Sequence, residues 1–473
     1  MIYDVVIVGA GVIGSVLARE LTRYKGSICL LEQAGDVACG ASRANSGIIH
    51  GGYDPEPGTR KAKLNTEGVE LLFEAAKELN VPCIRNGSLV CAFSEEENKT
   101  VQALFERGQL NSIPRLQVLT GDEARALEPR LSENVTAALY VPTSGIICPY
   151  GLTVAAAGNA MDNGADLKVN FRVSAITKEN GIFTVTAANG DTVQAKTLIN
   201  CAGCGAGQVA AMAGDDSITI IPRAGEYMLL DKTAGSTVAH TIFQVPTAAG
   251  KGILVSPTVH GNLLTGPTAK QVLDGTSTET TQEGLEKVRR LSLKSVPSID
   301  FSSVITSFTG VRSSVKTGDF IIGWSKQVEG LMNVAAIDSP GLTCCVSIAR
   351  YVVSLLGQLE KNPAFDGHRD DPQAFRHMTV EQQDAFIKNN PAYGKIVCRC
   401  ETVSEGEILA AIRTNPPARD LDGVKRRTRS GMGRCQGGFC GPYIMELLAK
   451  EQGISMEQVT KCGGKSYMVM GRI

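Results

Sequence analysis

Gly9-Ala10-Gly11-Val12-Ile13-Gly14 constrains the fold of this chain more than any other stretch, because of what flanks it. The β-branched run Tyr3 to Val8 precedes it, an amphipathic stretch to about Tyr24 follows, and a second apolar run, Ile28 to Leu31, ends in Glu32. Strand, glycine turn, helix, strand and acid within about thirty residues is the setting in which G-x-G-x-x-G marks a dinucleotide site. Gly9, Gly11 and Gly14 let the turn tighten and a diphosphate approach the helix N-terminus, where unpaired N–H groups and the helix dipole favour an anion. Glu32 is placed to accept hydrogen bonds from a ribose. The fingerprint by itself does not choose between nicotinamide and flavin dinucleotides.

A chain of 473 residues is long enough for two or three domains with cores of their own. Lys+Arg 47 against Asp+Glu 48 leaves a net charge of -1, so no global field points to nucleic acid or a membrane surface. Asp4 interrupts the apolar start that a secretion signal needs. No apolar run reaches the roughly 18 residues of a membrane span. The expected location is cytoplasmic, and the 14 cysteines then read as free thiols or metal ligands rather than a disulfide framework.

Ser42 to Gly52 places one histidine, His50, among small residues. Gly47, Gly51 and Gly52 would let backbone approach a flat ring closely. An imidazole with its ordinary pKa of about 6.5 suits proton abstraction from a hydroxyl. The competing reading is a buried loop whose histidine only satisfies backbone groups. Further on, helices are expected over 66–79, 99–107, 120–128 and 150–163, with a strand over 87–93. Paired strands are expected over 169–177 and 181–187, and a hairpin over 252–267. Cys201 and Cys204 have C-x-x-C spacing and read as small-residue packing rather than a redox pair. Arg312 follows Thr309-Gly310-Val311, and a guanidinium fork there fits a carboxylate or a phosphate.

Residues 40–65 resemble the flavin-proximal segment of the D-amino-acid-oxidase-like superfamily, in the branch of glycerol-3-phosphate oxidases and dehydrogenases and L-2-hydroxyglutarate dehydrogenases. The resemblance implies an FAD cofactor, with His50 as catalytic base and Ser42, Asn45, Ser46 and Gly47 lining it. It extends the cofactor side to Val173, Ala202 and Gly203, and to Gly341, Leu342 and Thr343, a turn presenting N–H groups to the flavin. Arg312 would bind the anionic end of a small hydroxy substrate, with Tyr227, Lys251 and His260 as further substrate-side candidates. For Lys251 and His260 a solvated strand end is the alternative. The implied fold is a Rossmann-like α/β FAD-binding domain with an inserted α+β substrate domain on an antiparallel sheet. The FAD-binding domain would take residues 1–80, 146–215 and 313–362, and the substrate domain 81–145 and 216–312.

Residues 363–394 read as a connector with one short helix, and 395–473 as a small helical module. Its cysteines come as Cys398 and Cys400, then Cys435 and Cys440. Two close pairs separated by a helical region indicate a metal centre. Zinc is possible, but C-x-C is unusual for structural zinc, and a [2Fe–2S] cluster with four thiolates fits better. The block also resembles the bacterioferritin-associated-ferredoxin-like [2Fe–2S] domain, although its last pair is spaced C-x-x-x-x-C. Lys425 to Arg429 is a basic run, expected as a solvated helix face rather than a docking patch.

The implied activity is FAD-dependent oxidation of sn-glycerol 3-phosphate to dihydroxyacetone phosphate, with electrons leaving through the cluster to a protein partner. L-2-hydroxyglutarate, another 2-hydroxy acid or an amino acid is the alternative substrate. An electron-transfer subunit with no organic substrate is the alternative of another class.

Overall fold

The computed structural model describes residues 1–246, 252–372, 374–469 and 471. Lys251 lies outside the described residues.

β-Branched runs buried on both faces build a central sheet of eight strands. Ile2–Val8 lies between Ile28–Leu31 and Thr192–Asn200 and runs parallel to both. The strands Val173–Glu179 and Ile182–Ala187 form the expected antiparallel pair and join the early part of Thr192–Asn200. The end of that long strand pairs in parallel with Leu331–Ala335. Helices Val12–Thr22, Arg60–Glu78, Pro149–Asp162 and Gly341–Leu355 pack together over this sheet, with Leu17, Leu72, Leu152 and Ile348 fully buried between them. The helix expected from Thr66 starts earlier, at Arg60, because the Thr59 side chain accepts from Ala62 N–H and caps it there.

The second sheet has nine strands. It departs from the expected antiparallel sheet at one seam, where Thr241–Gln244 runs parallel to Ser88–Ala92 and joins its two halves. Ile221–Leu230 and Val304–Ser314 pair antiparallel along nearly their whole lengths, which sets Tyr227 and Arg312 on neighbouring strands. Helix Gln282–Ser295, capped by Thr281, packs on this sheet and was not among the expected elements. A three-stranded sheet of Ile48–Ile49, Gly145–Ile147 and Cys83–Ile84 leads directly into His50.

The C-terminal module folds helices Glu405–Arg413, Leu421–Thr428 and Gly441–Gln452 around Ile408, Val424 and Leu448. The connector holds two helices, Ala374–His377 and Val380–Asn389, where one was expected. Phe375, Phe386 and Tyr393 close it into an aromatic cluster. Its Arg376 reaches Glu407 at 2.5 Å and the Thr428 carbonyl at 2.6 Å.

The basic run is not a solvated face. Arg426, Arg427 and Arg429 are 6, 7 and 5% exposed. Asp36 takes Arg426 at 2.5 Å and Arg427 at 2.7 and 2.8 Å, while Glu401 takes Arg429 at 2.9 Å. Carboxylates remote in sequence pair with its three arginines, and the run becomes the surface by which the module seats on the first domain.

Candidate functional site: a dinucleotide cavity and a thiol cluster

One cavity of about 1540 Å³ runs through the molecule, larger than the roughly 300–1,000 Å³ of ordinary small-molecule pockets. At one end lies the glycine turn. Gly9, at φ 105°, sits where a Cβ would fall 2.5 Å from the Cys201 carbonyl, so only glycine lets the two parallel strand ends meet there. A Cβ on Gly14 would strike the Gly9 carbonyl at 2.0 Å. Gly14 therefore closes helix on strand and does not line the cavity, unlike Gly9 and Gly11.

Glu32 is buried and accepts from Ala10 N–H and Ala34 N–H, both at 2.9 Å. Burial pushes its carboxyl above the usual range, and these two donors offset part of the rise. Each oxygen retains a lone pair for a ribose hydroxyl. Ser42 Oγ accepts from Val12 N–H at 2.8 Å, tying the following loop to the first turn of the fingerprint helix. Asn45 spends its side chain inside that loop, on the Ala41 and Ser42 carbonyls and Gly47 N–H. Val173, Ala202 and Gly203 line the same end, and a Cβ on Gly203 or Gly40 would meet no protein atom within 4 Å. A long, partly apolar trough that runs past the glycine turn and the buried Glu32 fits FAD.

Ile48 and His50 form the wall farther along. Gly51 and Gly52 do not: a Cβ there would meet Val141 at 2.3 Å and Ile113 at 2.5 Å, so these glycines admit protein neighbours and not a ring. His50 is held by its backbone, with N–H donating to Thr343 Oγ1 and C=O accepting from Asn65 Nδ2, each at 2.8 Å. Its ring lies 5.7 Å from that of Phe243, and Nε2 is 3.3 Å from Ser339 Oγ. Thr343 thus turns its hydroxyl to His50 and Ile48 and stays out of the cavity, whereas Gly341 and Leu342 line it. Sequence reasoning missed Phe243, which carries no motif, and took the turn holding Ser339 for its backbone N–H groups and not for that side chain.

Arg312, also lining the cavity, donates to the Thr268 carbonyl at 2.9 Å, and the Tyr227 hydroxyl is influenced by both Arg312 and Ser46. Burial pushes the Tyr227 phenol up, against the pull of Arg312. A Cβ on Gly225 would overlap the guanidinium at 2.1 Å. His260 also lines the cavity, at the seam with the C-terminal module and not as a solvated strand end. Burial, then the cations Arg429, Lys232 and Arg376, push its imidazole down to about 3. Its Nε2 is buried without a partner among the described residues.

The four C-terminal cysteines converge as two pairs, each drawing one thiol from each sequence pair. Cys400 Sγ and Cys435 Sγ are 3.6 Å apart, and Cys398 is hydrogen-bonded to Cys440. Backbone N–H groups of Gly431 and Glu401 point at Cys398, and those of Phe439, Gly437 and Gly438 at Cys435. Gly433 is required because a Cβ would lie 2.2 Å from that of Cys400. Two thiol pairs amid N–H donors fit a two-iron cluster, one pair per iron. Cys201 and Cys204 remain free, Cys201 packed behind Gly9 and Cys204 against the Val311 carbonyl.

Residues 4–355 match the family described as FAD dependent oxidoreductase, and the chain belongs to that family. Residues 396–450 match the BFD-like [2Fe-2S] binding domain, so the protein is a flavin enzyme carrying an iron–sulfur module. The glycerol 3-phosphate dehydrogenase of Caloramator mitchellensis is 42% identical over 473 residues, covering 99% of this chain and 98% of its own. The glycerol 3-phosphate oxidase of Mycoplasma genitalium is 35% identical over 75% of this chain and 94% of its own. Among solved structures, the dithionite-reduced L-alpha-glycerophosphate oxidase of Mycoplasma pneumoniae with FAD bound superposes with a TM-score of 0.75 at 33% identity, covering 78% of this chain and 98% of its own. Among the described residues no helix is long and apolar enough to cross a membrane.

Proposed function

We propose that the protein oxidises sn-glycerol 3-phosphate to dihydroxyacetone phosphate and delivers the electrons to a protein acceptor in the cytoplasm. The observation that carries this reading is the match to a glycerol 3-phosphate dehydrogenase from end to end, iron–sulfur module included. Bound FAD supplies the two-electron hydride acceptor, and the cluster supplies one-electron steps outward. Arg312 grips the phosphate with the guanidinium nitrogens that Thr268 and Tyr227 leave over, and Tyr227 holds that fork in plane. His50 takes the substrate's hydroxyl proton on its imidazole, which Thr343, Asn65 and Phe243 hold in place. The Ser339 hydroxyl at Nε2 steadies the tautomer. Ser42, Asn45, Ser46, Gly47, Val173, Ala202, Gly203, Gly341 and Leu342 form the cofactor's walls, and Cys398, Cys400, Cys435 and Cys440 hold the cluster. His260 stays neutral and offers its buried nitrogen to the contents of the cavity.

The test is anaerobic flavin bleaching with a panel of substrates. Bleaching by glycerol 3-phosphate ahead of L-2-hydroxyglutarate, other 2-hydroxy acids and amino acids is expected. Bleaching by a carboxylic acid in its place would move the assignment to that substrate. No bleaching by any of them, with rapid reduction by a flavoprotein, would make the chain an electron-transfer subunit.

A further inference from the structure

The family matches divide the chain into a flavin part, 4–355, and an iron–sulfur part, 396–450. The cavity does not respect that division. Lys425 and Arg426, from helix Leu421–Thr428 of the module, line it together with Gly9, Gly11, Glu32 and Ser42.

Their charges are only partly answered by protein. Lys425 is partly buried, and among the described residues no hydrogen bond or ion pair holds its Nζ. Asp422, the carboxylate that acts on it most, is taken by Lys461 at 2.9 and 3.1 Å. Burial and the neighbouring cations push the Lys425 ammonium below its ordinary range. Arg426 gives one nitrogen to Asp36, while its Nε is buried and unpartnered. Asp36 is shared with Arg427, and the buried Asp420 also acts on Arg426, yet neither carboxylate reaches the Arg426 Nε. Protein interiors do not leave buried cationic donors without an acceptor to meet them.

The place of these unpartnered donors identifies the anion. Arg426 and Arg43 both act on Cys39, which lies on the segment joining the ribose acceptor Glu32 to Ser42 at the fingerprint helix. Arg312, the cation for a substrate phosphate, sits in another part of the cavity among Thr268, Gly225 and Tyr227. We propose that the iron–sulfur module completes the FAD site, with Lys425 and Arg426 supplying positive charge to the diphosphate and ribose half of the bound dinucleotide. FAD is then held by both parts of the chain, and its affinity reports whether the module is seated. The inference rests on FAD filling the cavity and is independent of which organic substrate is oxidised.

FAD-depleted full-length protein is titrated with FAD and, separately, with riboflavin, which has the ring but no phosphate, by quenching of flavin fluorescence. Lys425→Met removes a nitrogen that no protein group holds, so the fold is retained, as the cluster's visible absorption will report. Arg426→Lys keeps the charge toward Asp36 and removes the Nε. The expected result is FAD bound about tenfold or more weakly by Lys425→Met, and riboflavin within twofold of wild type. The FAD deficit should shrink as salt is raised. FAD affinity within twofold of wild type in both variants overturns the proposal, and so does an equal loss for FAD and riboflavin, because neither outcome involves the phosphates.

Discussion

His50 is placed by its backbone, and its ring forms part of the cavity wall beside Ser339 and Phe243. Replacement by asparagine keeps the backbone bonds and removes the base. His50→Asn is therefore expected to retain FAD and to slow substrate-dependent bleaching by about 10²–10⁴-fold, the usual range for loss of a general base; bleaching at the wild-type rate in stopped flow would remove His50 from the chemistry. Positions that follow from covalent spacing were legible: Gly9, Gly11 and Glu32 meet at one end of the cavity, and the four cysteines come together in two pairs. Residues whose role comes from what folds against them were not. Gly51 and Gly52 look like cofactor glycines in one dimension, yet Val141 and Ile113 fill the space they leave. Arg426, Arg427 and Arg429 look solvated until Asp36 and Glu401 arrive from elsewhere in the chain.

At the scale of elements, most amphipathic helices and β-branched strands were legible because their periodicity is local, Gln282–Ser295 being an exception. The parallel seam of Thr241–Gln244 with Ser88–Ala92 was not, since strand order depends on closure between distant segments. The long strand Val304–Ser314 makes another such closure. A Cβ on Gly310 would lie 1.8 Å from the Ala44 carbonyl, on the loop that carries Ser42 and Asn45. That neighbour is backbone and yields only if the loop moves. Gly310→Ala is expected to cost about 1–3 kcal/mol, as overpacking does, and to lower FAD content with it. Thermal unfolding together with the flavin-to-protein absorbance ratio checks both, and an unchanged ratio would show that the strand does not set the loop.

At the scale of the whole molecule, two buried ion networks seat the iron–sulfur module. In the first, burial raises the Asp36 carboxyl but Arg427 and Arg426 outweigh it and hold it below the ordinary range. A depressed carboxyl adds stability above its unfolded pKa of about 3.9 and loses it as pH falls through the lower folded value, so this contact should survive mild acid. Asp36→Asn strands two buried guanidiniums and is expected to cost about 3–5 kcal/mol, seen as release of the module in limited proteolysis.

The second network centres on Arg429, whose three nitrogens reach three regions of the chain: Nε to Glu401 beside Cys400 at 2.9 Å, Nη1 to the Tyr150 hydroxyl at 3.1 Å, and Nη2 to Asn262 at 3.1 Å. Tyr150 also donates to Met432 Sδ at 3.5 Å, and both line the flavin cavity. These contacts lie on the seam between the cavity and the cysteine module, and Arg429 joins all three. Arg429→Met leaves Glu401 with Lys232 alone and strips Tyr150 and Asn262 of that partner. Asp36 continues to hold the module, so the variant loosens the seam without detaching it. Because His50 and Arg312 are untouched, substrate should bleach the flavin within twofold of the wild-type rate, while reduction of the cluster, followed in the same stopped-flow trace, slows about tenfold if the loosened seam costs about 1.4 kcal/mol of barrier. Cluster reduction at the wild-type rate would mean that electrons leave the flavin by another side. Slowing of both phases together would mean that Arg429 shapes the substrate site and not the seam.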